Sequence, residues 1–339
     1  MKSFSEILEQ IKSGPADLAG IEIASYGTPV VHMRKSGDEV QVVGADILPP
    51  AGTAVEEPPA PLELSGKLKG RYASVCVPGS GAIVKLLSFP GQFGESSEHK
   101  LLDSLRLENP DKYRIAYKLI ARGHGKSESR VLTVALPEEE ASIVTPLLPA
   151  GLPAPFSLEV SGLAVMTAFL NATASNQKDQ AVGMAHFGSR VSSFALFNKG
   201  SLSLIRRFDL GTETILGRVQ EGLGVDKETA EGIMSDGSFD ISQLVNEVLT
   251  PVIKQMVVSR DFLERRENCQ LAKIYVSGAL TVSRDSIEEI SSAMGVETGG
   301  WNPFEGLSVS SGALPEAAKG KEWQYAAAIG AGLGTFEET

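Results

Sequence analysis

The sequence predicts an α/β fold built from two related halves. Near the N-terminus, three strand-like segments within residues 20–48 (GIEIAS, TPVVHMRK and EVQVVGADIL) are separated by Gly, Ser and Asp turn residues, which is typical of an antiparallel meander. The same order of strands and glycine-containing turns returns in residues 181–211. Two such halves, with their hairpin turns facing a central cleft, are what a duplicated actin-like or ribonuclease H-like fold would show.

Length, composition and charge agree with a globular chain. The 339 residues are enough for two or three units, and 42% hydrophobic with 22% charged residues excludes a coiled coil, collagen and wholesale disorder. The net charge of -11 argues against nucleic acid or an anionic membrane surface as the main partner. No apolar run reaches the roughly 18 residues of a membrane span, and the start lacks the apolar core of a signal peptide. We therefore expect a cytoplasmic protein without a direct membrane span.

The segment between the two meanders predicts an inserted α+β unit. Residues 49–64 are Pro-rich and acidic and are expected to form an exposed loop, whereas residues 72–80 (YASVCVPGS) have the pattern of a strand buried on both faces. From residue 81 the order is strand, helix, strand, strand and a helix over 137–152 that begins at Pro137. This order is typical of a compact α+β insert.

The part after the second meander is mainly helical. Apolar residues at three- and four-residue spacing predict helices, which are followed by a buried strand, an amphipathic helix and a small apolar closing segment. These elements lie at 212–224, 226–235, 240–265, 272–280, 283–296 and 321–336. Four subdomains are predicted: 15–80 plus 159–177 plus 322–339 (first actin-like), 81–158 (insert), 178–213 plus 266–321 (second actin-like) and 214–265 (helical).

Three glycine-containing turns predict a nucleotide site. In an actin-like fold two hairpin turns contact the phosphates, because small residues let backbone N–H groups approach and hydroxyl groups add donors. Carboxylates beside these turns hold magnesium, and a further glycine turn contacts the nucleoside. The candidate turns are residues 22–28, 186–192 and 276–280.

The order of these pieces resembles the PilM family, the actin-like cytoplasmic proteins of type IV pilus assembly that are related to FtsA and to the type II secretion platform. Local matches cover roughly residues 18–336. They are GIEIASYGTPVV (opening hairpin), ASVCVPGSGAIVKLLSFP (entry to the insert), LEVSGLAVMTAF (helix), HFGSRVSSFALFNKGSL (second hairpin) and IYVSGALTVSRDSIEEISSAMGVETGGWNPFEGL (closing segment). Asn302-Pro303-Phe304 is the most distinctive match.

The resemblance implies ATP and magnesium as cofactors at the three turns. The implied nucleotide-binding residues are Ser25, Tyr26, Gly27, Thr28, Gly188, Ser189, Arg190, Gly278 and Ala279, and the implied magnesium ligand is Glu22. No catalytic residue is implied. If phosphate lies beside the two hairpin glycines, Gly27→Val and Gly188→Val should each abolish nucleotide binding.

Several positions depart from the family pattern. The Asp of the family's first hairpin is Glu22 here, and the Asp of its second hairpin is His186, whose imidazole is a poor ligand for magnesium. The second Gly of the third turn is Ala279, whose methyl group crowds a close approach. We therefore expect ATP hydrolysis to be weakened or lost. Arg190 has two interpretations, a direct phosphate contact that replaces the metal or a solvated turn residue.

Two further residue types have structural interpretations. His186 is expected to be a neutral histidine that is hydrogen-bonded across the cleft, rather than a proton carrier. Cys76 and Cys269 lack the spacing of a zinc site or a disulfide framework.

The resemblance implies a scaffold function. In the family, the cytoplasmic tail of an inner-membrane partner, PilN, docks as an extended peptide between the first subdomain and the insert, near residues 72–90 and 113–136 of this chain. The assembly ATPase is a second implied partner, and the chain would be peripheral to the inner membrane through its partners. The alternative is an active actin-superfamily ATPase or small-molecule kinase, which needs a metal-binding carboxylate on both sides of the cleft.

Overall fold

The computed structural model describes residues 14–51, 60–124, 127–174, 179–236, 239–278 and 284–337. The chain divides into two units, of which unit 1 comprises Met1–Pro78, Glu139–Thr173 and Asn302–Thr339, and unit 2 comprises Gly79–Glu138 and Ala174–Trp301. Residues 52–59 of the predicted loop and Ala279 of the third turn lie outside the described residues.

The order of strands and helices along the chain is close to the order that the sequence predicts. In chain order the strands are β1 (Asp17–Glu22), β2 (Thr28–Ser36), β3 (Glu39–Leu48), β4 (Tyr72–Val77), β5 (Ile83–Pro90), β6 (Tyr113–Ala121), β7 (Glu128–Pro137), β8 (Ala154–Val160), β9 (Ala181–Phe187), β10 (Ser192–Asn198), β11 (Ser201–Phe208), β12 (Leu271–Gly278), β13 (Glu297–Gly300) and β14 (Ser308–Val309). The α-helices are α1 (Glu95–Leu105), α2 (Glu138–Ser142), α3 (Val144–Leu147), α4 (Ser161–Thr173), α5 (Thr212–Leu223), α6 (Lys227–Asp236), α7 (Ser242–Glu267), α8 (Arg284–Met294) and α9 (Ala326–Glu337). None of the described helices is long and apolar enough to cross a membrane.

The two units repeat one strand order. The sheet of unit 1 has the order β14-β3-β2-β1-β4-β8, and the larger sheet of unit 2 has the order β11-β10-β9-β12-β13. In each sheet the three meander strands pair antiparallel, and β4 and β12 run parallel to β1 and β9. The next strands, β8 and β13, are again parallel to their neighbours. The duplicated meander and the α/β class are therefore confirmed.

Close backbone packing shapes unit 1. Helix α9 is continuous, although the sequence indicated glycine interruptions in its second half. A methyl group at Gly330 would overlap the carbonyl oxygen of Ala164 in α4, and one at Gly20 in β1 would overlap that of Ala328 in α9. These glycines allow two helices and a strand to approach more closely than residues with a Cβ would permit.

Unit 2 combines the second meander with residues 81–138 of the predicted insert, whereas residues 139–158 belong to unit 1. The larger core of unit 2 lies between the β9–β13 sheet and the helices, where Phe187, Phe194, Leu249 and Ile290 are buried. The insert forms a second sheet, with the order β5-β7-β6, and its own core against α1.

Two arginines tie the insert to the second meander within unit 2. Arg207 of β11 donates to the carbonyl oxygens of Gly79 and Ala82, just before β5. Arg130 of β7 donates to the Ser201 hydroxyl over 2.9 Å and lies 3.6 Å from the Glu267 carboxylate. The division into four subdomains remains a prediction.

Several elements differ from the sequence prediction, including strands β13 and β14, which were not predicted. The helix expected over 137–152 is two short helices, α2 and α3, because Pro146 lacks a backbone N–H and its ring crowds the carbonyl group four residues earlier. Pro137 is the last residue of β7 rather than the start of a helix. Strand β8, which extends the sheet of unit 1, was not predicted.

Candidate functional site

The first turn, between β1 and β2, is closed by its own hairpin. The backbone N–H of Gly27 donates to the Ala24 carbonyl oxygen over 3.4 Å, and Gly27 has a φ of 149°. A methyl group at Gly27 would lie 2.6 Å from Cγ2 of Ile47 in β3. The space beside this glycine is therefore filled by the chain itself.

The hydroxyl groups of the first turn have different surroundings. Ser25 is exposed at the tip of the turn. Thr28 is buried, and its hydroxyl donates to the Pro49 carbonyl oxygen and accepts from the Ala51 N–H, both over 3.1 Å. The Thr28 hydroxyl thus anchors the end of β3, whereas Ser25 is open to solvent.

Glu22 lies buried at the end of β1. The Tyr26 hydroxyl folds back from the turn and donates to its carboxylate over 3.1 Å, and the Tyr26 ring lies 6.3 Å from that of Trp323. Burial raises the pKa of Glu22 from 4.5 to about 7, and the hydrogen bond from Tyr26 partly opposes this rise. Glu22 is therefore only partly ionised near neutral pH.

The second turn, between β9 and β10, is joined to the start of α5. The N–H groups of Thr212 and Glu213 donate to the carbonyl oxygens of Gly188 and Ser189, each over 3.0 Å. These N–H groups belong to the first turn of the helix, where unpaired N–H groups can bind an anion. Here they already donate to the second turn. A methyl group at Gly188 would lie 2.7 Å from the Val191 carbonyl oxygen.

Gly27→Val and Gly188→Val are therefore poor probes of nucleotide binding. At both positions the added side chain meets the chain's own atoms first. Both variants report on folding before they report on a ligand.

Arg190 has an internal partner. Its Nε donates to both carboxylate oxygens of Glu213 over 3.1 Å, and both side chains are substantially exposed. No sequence pattern predicted this pairing, because the two residues are far apart along the chain. It agrees with the interpretation of Arg190 as a solvated turn residue, and a phosphate would have to compete with Glu213.

His186 lies buried at the end of β9 and neither ring nitrogen has a hydrogen-bond partner among the described residues. Burial lowers its pKa from 6.5 to about 4, so the imidazole is neutral at pH 7. Ser277 of β12 stands opposite it in the register, and within the described chain its hydroxyl also lacks a partner. The predicted neutral state agrees with this pKa, whereas the predicted hydrogen bond is not among the described contacts.

The third turn begins at Gly278, the last residue of β12. It has a φ of 90°, and a methyl group there would overlap the carbonyl oxygen of Phe187. Glycine is required by both the backbone conformation and the neighbouring strand. Ala279, the next predicted residue, lies outside the described residues.

The described residues do not fit a magnesium ion. Magnesium requires ionised or neutral oxygen ligands in a regular shell. Glu22 is buried, partly protonated and already bonded to Tyr26, and His186 offers only nitrogen. In the part of the chain that the structure describes, no group of three His, Cys, Asp or Glu side chains is placed to hold a metal.

Cys76 and Cys269 are both free thiols.

Comparisons with known proteins identify the family. A family model described as type IV pilus assembly protein PilM matches residues 117–336, which is more than half of the chain. The chain is similar to a solved PilM-PilN type IV pilus biogenesis complex, with 17% identity and a TM-score of 0.77, over 94% of this chain and 98% of that chain.

Two further solved structures are similar to this chain at lower TM-scores. The ethanolamine utilization protein EutJ from Carboxydothermus hydrogenoformans has 16% identity and a TM-score of 0.47, over 94% of this chain and 90% of its own. Ta0583, an archaeal actin homologue, has 11% identity and a TM-score of 0.44, over 95% and 100%. No curated protein sequence matches. The predicted actin-like ATPase fold is confirmed, and the chain belongs to the PilM family of type IV pilus assembly proteins.

Proposed function

We propose that this chain is a cytoplasmic scaffold of a type IV pilus assembly machine that binds the cytoplasmic tail of a PilN-like inner-membrane protein. The observation that carries the proposal is family membership, supported by a fold similar along nearly the whole chain to that of a complex between PilM and PilN. Through this tail the chain would lie at the inner membrane. The assembly ATPase is proposed as a second partner.

We place the tail on an edge of the insert sheet, because an extended peptide binds most simply as an added strand. Strand β8 is an edge of the unit 1 sheet, but Pro155 lacks an N–H group and the pairing with β4 shifts register beside it. Both features make an edge strand less able to pair with an added strand. Strand β6 is an edge of the insert sheet, contains no proline and exposes residues 116–118.

A pair of tail peptides tests this proposal. One is the N-terminal cytoplasmic tail of the organism's own PilN-like protein, and the other has the same side chains with alternate backbone nitrogens methylated. The unmodified peptide should bind and protect amides of β6 from hydrogen exchange, with no protection of β8. The methylated peptide should bind at least about tenfold more weakly, because each lost backbone hydrogen bond costs about 1 kcal/mol.

The two peptides separate the scaffold from the binding mode. No binding of the unmodified tail would contradict the scaffold proposal. Equal binding of both peptides would contradict strand addition but would not contradict the scaffold proposal.

We further propose that ATP hydrolysis is weakened or lost in this chain. The support is the side chain at each hairpin, where Glu22 is buried with a raised pKa and His186 cannot replace a carboxylate toward magnesium. Phosphate release should be measured with ATP and magnesium, with and without the tail peptide. The matched control is Glu22→Gln, which keeps the shape of the side chain. Turnover well above that of Glu22→Gln would favour the alternative, an active ATPase or small-molecule kinase.

A further inference from the structure

Strand β8 begins beside a group of exposed apolar side chains in unit 1. Leu152, two residues before the strand, is 56% exposed, and Phe156 within the strand is 50% exposed. The Phe156 ring packs edge-on against the partly buried ring of Tyr72 in β4, with 5.5 Å between the ring centres. We call Tyr72, Leu152 and Phe156 the β8 patch. Single exposed apolar residues are common, whereas a group at one end of a sheet favours a surface that a further element covers.

The chain enters unit 1 at the same end of the sheet. Strands β1, β4 and β8 are parallel neighbours, and Leu18, Tyr72 and Ala154 stand level with one another. Gly14, the first described residue, is three residues before β1. Adjacent strands lie about 4.8 Å apart, so the starts of β1 and β8 are separated by about 10 Å. About three extended residues span that distance, and the residues that precede Gly14 can therefore reach the β8 patch.

The residues that precede Gly14 have the sequence pattern of an amphipathic helix. Residues 1–13 read MKSFSEILEQIKS, in which Phe4, Ile7, Leu8 and Ile11 recur at three- and four-residue spacing. The order Ser-x-x-Glu at residues 3–6 is the signature of a capping box just before an apolar run. A helix this short is marginal in water, so it depends on cover for its apolar face. We call residues 1–13 the N-terminal segment.

We propose that the N-terminal segment docks as a helix on the β8 patch of the same chain. Its four apolar side chains would pack on Tyr72, Leu152 and Phe156. Strand β8 is an edge of the unit 1 sheet, and native proteins protect such edges by covering them with a helix or a loop. The segment would act as a strap over this edge. The inference is independent of the proposed function, which places the tail on β6.

Charge does not select the occupant, and the tether does. Arg71 lies 5.6 Å from the centre of the Tyr72 ring, the exposed Lys69 is two residues before it, and the Asp17 carboxylate accepts the Arg71 N–H over 3.2 Å. The N-terminal segment carries two Lys and two Glu, so its charges balance. A segment joined by a short linker has an effective concentration on the order of millimolar at its site. It therefore occupies a weak apolar surface ahead of a free partner.

Two cysteine pairs test the docking, both in a Cys269→Ser background. Leu8→Cys with Leu152→Cys joins the segment to the patch and leaves Tyr72 and Phe156 in place. Leu8→Cys with Val309→Cys is the matched control. Val309 is 39% exposed and stands level with Leu18 at the opposite edge of the same sheet, three strands from β1. The rate of disulfide formation is measured by mass spectrometry of the joined peptides, and urea unfolding checks that each variant is folded.

The pair with Leu152→Cys should form its disulfide at least about tenfold faster than the pair with Val309→Cys, because docking holds the two thiols close together. Adding Ile7→Ser and Ile11→Ser should lower the rate of the first pair to that of the control, since it removes two of the apolar contacts. An equimolar mixture of ¹⁵N-labelled and unlabelled chains shows whether the disulfide forms within one copy, in which case no joined peptides of mixed label appear.

Equal rates for the two cysteine pairs would overturn the inference, as would a fast rate that Ile7→Ser with Ile11→Ser leaves unchanged. Joined peptides of mixed label would assign the β8 patch to a second copy of the chain and also overturn it.

Discussion

The ends of β1 and β9 occupy equivalent positions in the two repeated sheets, yet their side chains differ in chemistry. Glu22 stands opposite Cys76 on the neighbouring parallel strand, and His186 stands opposite Ser277. Both side chains are buried, but Glu22 accepts a hydrogen bond from Tyr26, whereas His186 has no partner within the described residues. The backbone repeat is therefore preserved while the side chains at the two turns have diverged. A duplicated fold does not by itself supply a two-sided metal site.

Burial shifts the pKa values of Glu22 and His186 in opposite directions. Burial disfavours the charged form of each, so it raises the pKa of Glu22 to about 7 and lowers that of His186 to about 4. Near neutral pH His186 is uncharged and Glu22 is partly charged. The two halves of the fold should consequently respond differently to pH.

The largest expected effect concerns the backbone that supports the second turn. Gly278→Ala should lower the free energy of unfolding by about 3 kcal/mol or more, because the methyl group overlaps the Phe187 carbonyl oxygen at a φ of 90°. Gly200→Ala is the control, since Gly200 has a φ of 75° but no atom within 4 Å of the added methyl group. The control should cost about 1 to 2 kcal/mol. Urea unfolding measures both, and equal losses would show that the close approach of β12 to Phe187 is unimportant.

Glu22→Gln should remove a pH dependence from the first turn. The raised pKa means that the folded state holds a proton that the unfolded state has released between pH 4.5 and about 7. This stabilisation is complete below pH 4.5 and is lost as pH rises through 7. Wild type should therefore lose roughly 2 to 3 kcal/mol relative to Glu22→Gln between pH 5 and 8. Urea unfolding at several pH values measures it, and parallel curves would contradict the raised pKa.

His186→Leu should remove a pH dependence of stability whose sign is opposite to that of Glu22. The lowered pKa means that the unfolded state takes up a proton between pH 6.5 and about 4 while the folded state does not. Wild type is therefore destabilised as pH falls below 6.5, by about 2 kcal/mol between pH 7 and 5, and the variant should lack this loss. The variant should also be more stable at pH 7, because it removes two buried nitrogens without partners in the described structure. A wild type that gains stability on acidification relative to the variant would contradict this account.

The repeated backbone could be predicted from sequence, and the side-chain pairings at the turns could not. Alternating apolar residues and glycine turns define each meander locally, and apolar spacing defines α5 to α7. Strand β8 was missed because its signal is short and starts beside prolines, and its pairing partner β4 is distant in sequence. The contact of Arg190 with Glu213 likewise joins residues that only the tertiary fold brings together.

The smallest expected effect tests that contact. Arg190→Gln should change the free energy of unfolding by no more than about 0.5 kcal/mol, because an exposed ion pair is screened by water. If Glu213 is the only group that Arg190 binds, ATP affinity measured by calorimetry should also be the same in wild type and variant. Glu213→Gln is the matched variant, since it frees Arg190 without removing its charge. If Arg190 instead binds phosphate, Arg190→Gln should weaken ATP binding about tenfold or more, and Glu213→Gln should strengthen it. That pair of results would restore a nucleotide role to the second turn and separate it from the metal chemistry that Glu22 and His186 do not support.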